Sequence, residues 1–199
     1  MLTTPENLAQ EILKVAIKAT EAGMGNEETT LELKRDLDVF YRKLCDTAEP
    51  RYTRYTDRIR EKTEYLVDFC VIRDHWMDTA IESEWIPTLD EIEYDFEKLL
   101  HVRASLKVMI CDSPDYVRWK LVPAVNFLKA RHRHCEPGET YMIFNWRGGK
   151  NVANCHVWTP TETSLAGGEA IRFRCVPGFP AKFGDRVAHP NNGYLGELD

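Results

Sequence analysis

Apolar positions recur at helical spacing from the start of the chain. Leu8, Ile12, Val15 and Ala19 form one stripe, Thr4 can cap it and Pro5 suits a first turn, which predicts a helix over residues 5–22. AGMGNEET (22–29) interrupts the pattern. Leu33, Leu37, Phe40 and Leu44 then mark one face of a second helix over residues 31–48. EPRYTRYTDRIR (49–60) sets Arg51, Arg54, Arg58 and Arg60 among aromatic and polar residues, and reads as a solvated loop or helix surface before it reads as a phosphate contact.

Near residue 64 the period changes. EYLVDFCVI (64–72) is apolar on both faces, the pattern of a central strand, and RDHWMDT (73–79) can turn the chain back into AIESEW (80–85). TLDEIEYDFEKLLHVRA (88–104) returns to helical spacing through Leu89, Ile92, Phe96, Leu99 and Leu100, with Thr88 and Glu91 at capping-box separation. LKVMIC (106–111) predicts a buried strand, SPDYVRWKLVPAVNFLKARHR (113–133) a helix kinked near Pro123, and TYMIFNW (140–146) another strand. RGGK (147–150) reads as a hairpin turn, and NCHVW and AIRFRCV place further strands in a tail rich in Gly and Pro. The expected architecture is a single α/β (α+β) domain over residues 1–199. It has an N-terminal helix in 1–29 and a β-rich extension in 147–199.

Composition narrows the class. A chain of 199 residues with 43% hydrophobic and 29% charged residues has the make-up of an ordinary soluble globular domain. No apolar run approaches the roughly 18 residues of a membrane span, and the N-terminus lacks the basic-then-apolar order of a secretory signal. The six cysteines are scattered, two of them (Cys70 and Cys111) in apolar strand patterns, which fits reduced thiols in a cytoplasmic protein. The net charge of −6 is unevenly placed: residues 1–116 carry 15 Lys and Arg against 25 Asp and Glu, and residues 117–199 carry 11 against 7. A nucleic-acid contact therefore needs the C-terminal half, local arginines, or bound metal ions that offset the carboxylates.

The candidate chemistry lies in the strand patterns. Asp68 interrupts an apolar run, where an ionised carboxylate is costly unless paired or bound to metal. Glu82 and Glu84 alternate with Ile81, Ser83 and Trp85, so they share one strand face. If the two strands form a hairpin, Asp68 falls opposite Glu82 or Glu84, and three like charges then need a counter-ion, a proton or a lysine. A hard divalent cation suits clustered oxygen ligands. The plain alternatives are a salt-bridged Asp68 at a sheet edge and a solvated glutamate face. Glu91 is most economically the capping partner of Thr88.

YLVDF, AIESEW and DFEKLL…RASLKVMIC, in that order, resemble the PD-(D/E)XK nuclease superfamily, the restriction-endonuclease-like fold. The resemblance implies a three-layer core over about residues 30–146, a mixed central sheet flanked by helices, built from a helix, a three-strand meander, a helix and a further strand. It implies Mg²⁺ (or Mn²⁺) held by Asp68 and Glu82, with a main-chain carbonyl near Ser83 as a further ligand, and hydrolysis of DNA phosphodiesters. Glu84 stands where the family carries a lysine, because the triplet here is Glu-Ser-Glu. Lys98 on the following helix is the candidate replacement; its alternative is a solvated lysine paired with Asp95 or Glu91 at helical spacing. A non-catalytic binding or assembly protein on the same fold is the rival reading, favoured by the missing strand lysine and the acidic charge. An unrelated α+β interaction protein is the third. A homodimer or a protein partner is left open.

Other signals are weaker. His132, His134, Cys135, Cys155 and His156 could serve zinc, but the close cysteine pairing of structural sites is missing. RGGK lacks the phosphate-loop pattern. Trp76, Trp85, Trp119, Trp146 and Trp158 read as core residues before stacking platforms.

Overall fold

Two helices with well-marked ends open the chain in the computed structural model, which describes residues 1–52, 55–56, 59–60, 67–85, 88–112, 136–147, 152–161, 171–177, 179, 186–188 and 195–197. Helix α1 (Pro5–Ala22) starts at Thr4, whose hydroxyl accepts the Asn7 N–H, and stops at Gly23, which takes the left-handed conformation with φ 65°. Glycine accepts that geometry at no steric cost. Helix α2 (Asn26–Leu44) begins five residues before its expected start and ends four before its expected end. Its start is set by the Glu28 carboxylate, which accepts the Gly25 N–H at 3.0 Å, and not by hydrophobic periodicity.

The segment expected to be a loop or helix surface begins with a strand, β1 (Glu49–Tyr52), in which Pro50 and Tyr52 are buried and Glu49 and Arg51 exposed. A small hairpin of β2 (Tyr55–Thr56) and β3 (Ile59–Arg60) follows it. Strand β4 (Phe69–Arg73) is shorter than the apolar run suggested; Asp68 lies on a bend just before it, and residues 64–66 fall outside the described residues. The turn is only Asp74 and His75, with φ 50° and 69°, and β5 (Trp76–Glu84) begins at once. Both residue types enter the left-handed region more readily than most. Trp76, expected in the core, is 72% exposed at this tip.

Helix α3 (Leu89–His101) lacks the expected side-chain cap: no bond forms from Thr88, and Glu91 is exposed. Strands β6 (Leu106–Cys111), β7 (Thr140–Arg147) and β8 (Val152–Trp158) follow, then β9 (Ile171–Cys175), β10 (Arg186–Ala188) and β11 (Leu195–Glu197). The helix expected over 113–133 and the turn at 148–150 lie outside the described residues.

Apart from β2 and β3, which pair only with each other, the described strands form one mixed sheet in the order β1-β4-β5-β6-β7-β8-β9-β10-β11. β1, β4 and β5 make an antiparallel meander, α3 carries the chain over to β6, and β5, β6 and β7 are parallel. The fold is α+β, with helices on both faces. On one face α1 and α2 bury Leu8, Ile12, Leu37 and Tyr41 against Phe69, Ile81, Val108 and Phe144. On the other, α3 buries Phe96 and Leu99 against Ala80, Met109, Tyr141 and Ile143. No helix among the described residues is long and apolar enough to cross a membrane.

Candidate functional site

Register brings the first two candidate carboxylates together. The β4–β5 ladder starts as Arg73↔Trp76 and Ile72↔Met77, shifts, and continues as Val71↔Thr79, Cys70↔Ala80 and Phe69↔Ile81. Asp78 is the extra residue in this bulge. Without it Asp68 would lie across from Ile81; with it, Asp68 is one step beyond the Phe69↔Ile81 pair, across from Glu82. The bulged Asp78 is itself buried, and its Oδ2 accepts the Leu2 N–H at 2.8 Å.

Asp68 is held from two sides. Lys34 Nζ, from α2, donates to Oδ1 at 3.1 Å, and the Ser83 N–H and hydroxyl donate to Oδ2 at 3.0 and 2.9 Å. Lys34 is 5% exposed, and Asp68 is its sole carboxylate partner among the described residues. Sequence reasoning missed Lys34, although its spacing from Leu37 and Tyr41 puts it on the buried face of α2.

Glu82 is 1% exposed and faces α3. The Lys98 ammonium stands 3.0 Å from its Oε1 and 2.7 Å from Asp95 Oδ1. It pairs with Glu82 in charge but is out of line for a hydrogen bond, so among the described residues the buried Oε1 has no aligned donor. Burial pushes the Glu82 carboxyl up to about 8, the Asp68 charge adds to the rise, and Lys98 opposes it. Burial works against the charge on Lys98, but Asp95 and Glu82 outweigh it and hold the ammonium above its usual range. Tyr94, 63% exposed, places its ring 5.6 Å from the same ammonium.

Glu84 is half-buried at the end of β5, on the Glu82 face and in register with Cys111. Burial pushes the Cys111 thiol up to about 12, with the charges of Asp112 and Glu84 adding to it. Glu84 thus belongs to the neighbourhood of Asp112 at the ends of the parallel strands. Among the described residues no group of three Asp, Glu, His or Cys side chains is arranged to hold an ion. The expected three-carboxylate patch is instead a pair of carboxylates, Asp68 and Glu82, each provided with a lysine.

That pair suits Mg²⁺ or Mn²⁺ in its chemistry. Both groups are hard oxygen donors on neighbouring strands, near enough for the Asp68 charge to bear on Glu82, and Glu82 Oε1 is buried with no aligned hydrogen-bond donor among the described residues. Mg²⁺ is commonly held by one or two carboxylates, with water and phosphate oxygens completing its shell.

The zinc alternative loses one ligand pairing. Cys155 lies in the core under α1 and α2, whereas His156, the next residue of the strand, points to the opposite face. His132, His134 and Cys135 are outside the described residues. The α3 face carries a buried polar row that sequence reading did not isolate. It runs from Glu84 through Cys111 and Asn145 to Asn154, whose amide nitrogen and oxygen are both buried without a hydrogen-bond partner among the described residues. Comparison of the chain with protein-family models, with curated proteins and with solved structures finds no match.

Proposed function

We propose that the chain is a Mg²⁺-dependent nuclease of the restriction-endonuclease-like type, hydrolysing DNA phosphodiesters at Asp68, Glu82, Glu84 and Lys98. The observation that carries the reading is the Lys98 ammonium 3.0 Å from Glu82, on the helix that follows the Glu-Ser-Glu triplet. It puts a positive charge from α3 where the strand itself offers only Glu84. Further support is the order α2, β1, β4, β5, α3, β6, with the β2–β3 hairpin inserted after β1 and with β5 and β6 parallel, which follows the core that the resemblance implies.

Asp68 and Glu82 would hold the ion, which when bound polarises a phosphoryl oxygen and acidifies a bound water. The chain's own groups do the rest. Asp95 and Glu82 fix Lys98 so that its ammonium can meet a phosphate oxygen or orient the attacking water. In this reading Glu84, half-buried beyond Glu82 on the same strand face, accepts the water's proton. Arginines of the 51–60 segment and of the C-terminal half supply phosphate contacts that position the backbone without reading sequence.

A non-catalytic DNA-binding or assembly protein on the same architecture is the second reading. Its support is that both Asp68 oxygens already accept hydrogen bonds, from Lys34 and Ser83. Incubation with linear and supercoiled DNA and Mn²⁺ separates the two. Products that disappear on chelation and in Glu82→Gln support the nuclease; DNA binding without cleavage supports the second reading.

A further inference from the structure

We infer that Lys34 is a built-in counter-ion of Asp68 that a divalent cation must displace, so that this lysine sets the metal affinity of the site. The inference rests on the reading of Asp68 and Glu82 as metal ligands and adds a residue to it.

The argument begins with the cost of the lysine. Lys34 is 5% exposed on a helix face otherwise lined by Leu33, Leu37 and Tyr41, and a buried ammonium without a partner is strongly unfavourable. A methionine would pack there without that cost. What the ammonium has in return, among the described residues, is one ion pair, with Asp68 Oδ1 at 3.1 Å. The other Asp68 oxygen is served twice by Ser83, so Lys34 is not needed to satisfy the carboxylate's hydrogen bonding. Its distinctive contribution is charge.

That charge matters because Asp68 raises the cost of ionising Glu82 across the ladder. Lys98 answers for Glu82 and Asp95, and Lys34 answers for Asp68. The two carboxylates are therefore tolerated side by side before any ion arrives. A cation shared by Asp68 and Glu82 would bring positive charge to the same place, and two cations at one carboxylate repel. Binding must either move the Lys34 ammonium off Oδ1 or proceed against its field. In both cases Lys34 weakens the site, keeping it assembled and exchangeable.

Lys34→Met and Lys34→Gln test this, with manganese chloride alone as the probe and calorimetry on the full chain as the readout. Lys34→Met removes the charge while keeping the stem; Lys34→Gln keeps a donor for Asp68 and guards against a variant that does not fold. Both should bind Mn²⁺ about tenfold more tightly than the parent, a change of about 1.4 kcal/mol. Their melting temperatures without metal should fall and recover on saturation with Mn²⁺. Lys34→Arg, with the charge kept, should bind like the parent. Unchanged or weaker Mn²⁺ affinity in both neutral variants, with a parent that binds, overturns the role of Lys34 and leaves the metal site standing. No binding in the parent or in any variant removes the metal site, and the inference with it.

Discussion

Asp68 lies across from Glu82 because Asp78 is bulged out of the ladder between them. The two-residue turn at Asp74 and His75 sets one register, the shift after Ile72 sets the other, and the second is the one that matches carboxylate to carboxylate. Two carboxylates on neighbouring strands would destabilise a hairpin once both ionise. Lys34 from above the sheet and Lys98 from below offset them, each 3.0–3.1 Å from its acid. The site is thus a property of three layers, with no single strand containing it.

Glu82 should make the metal-free protein less stable in alkali. Its folded value of about 8 stands above the ordinary 4.5, so its favourable contribution is full below about pH 4.5 and is lost as pH rises through about 8. Glu82→Gln cannot ionise. Urea unfolding at several pH values should show the parent losing on the order of a few kcal/mol relative to Glu82→Gln between the two limits. Parallel pH profiles would mean that Glu82 is ionised at ordinary cost.

Lys98 should matter to turnover more than to the fold. Its side chain is 25% exposed at the flank of α3, so Lys98→Met should fold. It leaves Glu82 and Asp95 without their shared cation, which should preserve Mn²⁺ binding while lowering cleavage at least about tenfold. The separation of binding from rate identifies a group acting on phosphate or water. Loss of both together would assign Lys98 to structure.

A second buried lysine gives a prediction about stability alone. Lys107 is 1% exposed, donates to Glu139 Oε2 at 2.7 Å and to the Tyr141 hydroxyl at 3.1 Å, and Tyr141 donates to the same carboxylate oxygen. Lys107→Met leaves the Glu139 charge without its cation and should cost roughly 3–5 kcal/mol. Adding Glu139→Gln should recover most of the loss, since the buried charge is then gone. A double variant no better than the single one would show that the lysine acts through packing.

The sequence made some of this architecture legible and hid the rest for identifiable reasons. α1 was readable because Pro5 and Gly23 punctuate an apolar stripe. The start of α2 was not, because NEETT has no stripe and its end is set by a Glu28 bond to the Gly25 backbone. β1 is four residues of alternating burial inside a basic, aromatic stretch, too short for periodicity to register. The parity of Asp68 and Glu82 could be guessed from a hairpin, but the bulge that selects the pairing has no sequence signature at Asp78. Lys34 was readable in principle: a lysine three residues before Leu37 and seven before Tyr41 sits on an apolar face, and only its partner was unknowable.

The claim that Asp68 and Glu82 together hold a divalent cation is tested most directly by titrating Mn²⁺ into the metal-free parent, Asp68→Asn and Glu82→Gln, in two buffers of different ionisation enthalpy near pH 7. The parent should bind Mn²⁺ and release protons as it does so, because the Glu82 carboxyl, raised to about 8, must ionise to become a ligand. Neither variant should give a binding heat. Equal affinity in all three proteins, or no binding by the parent, would contradict the account.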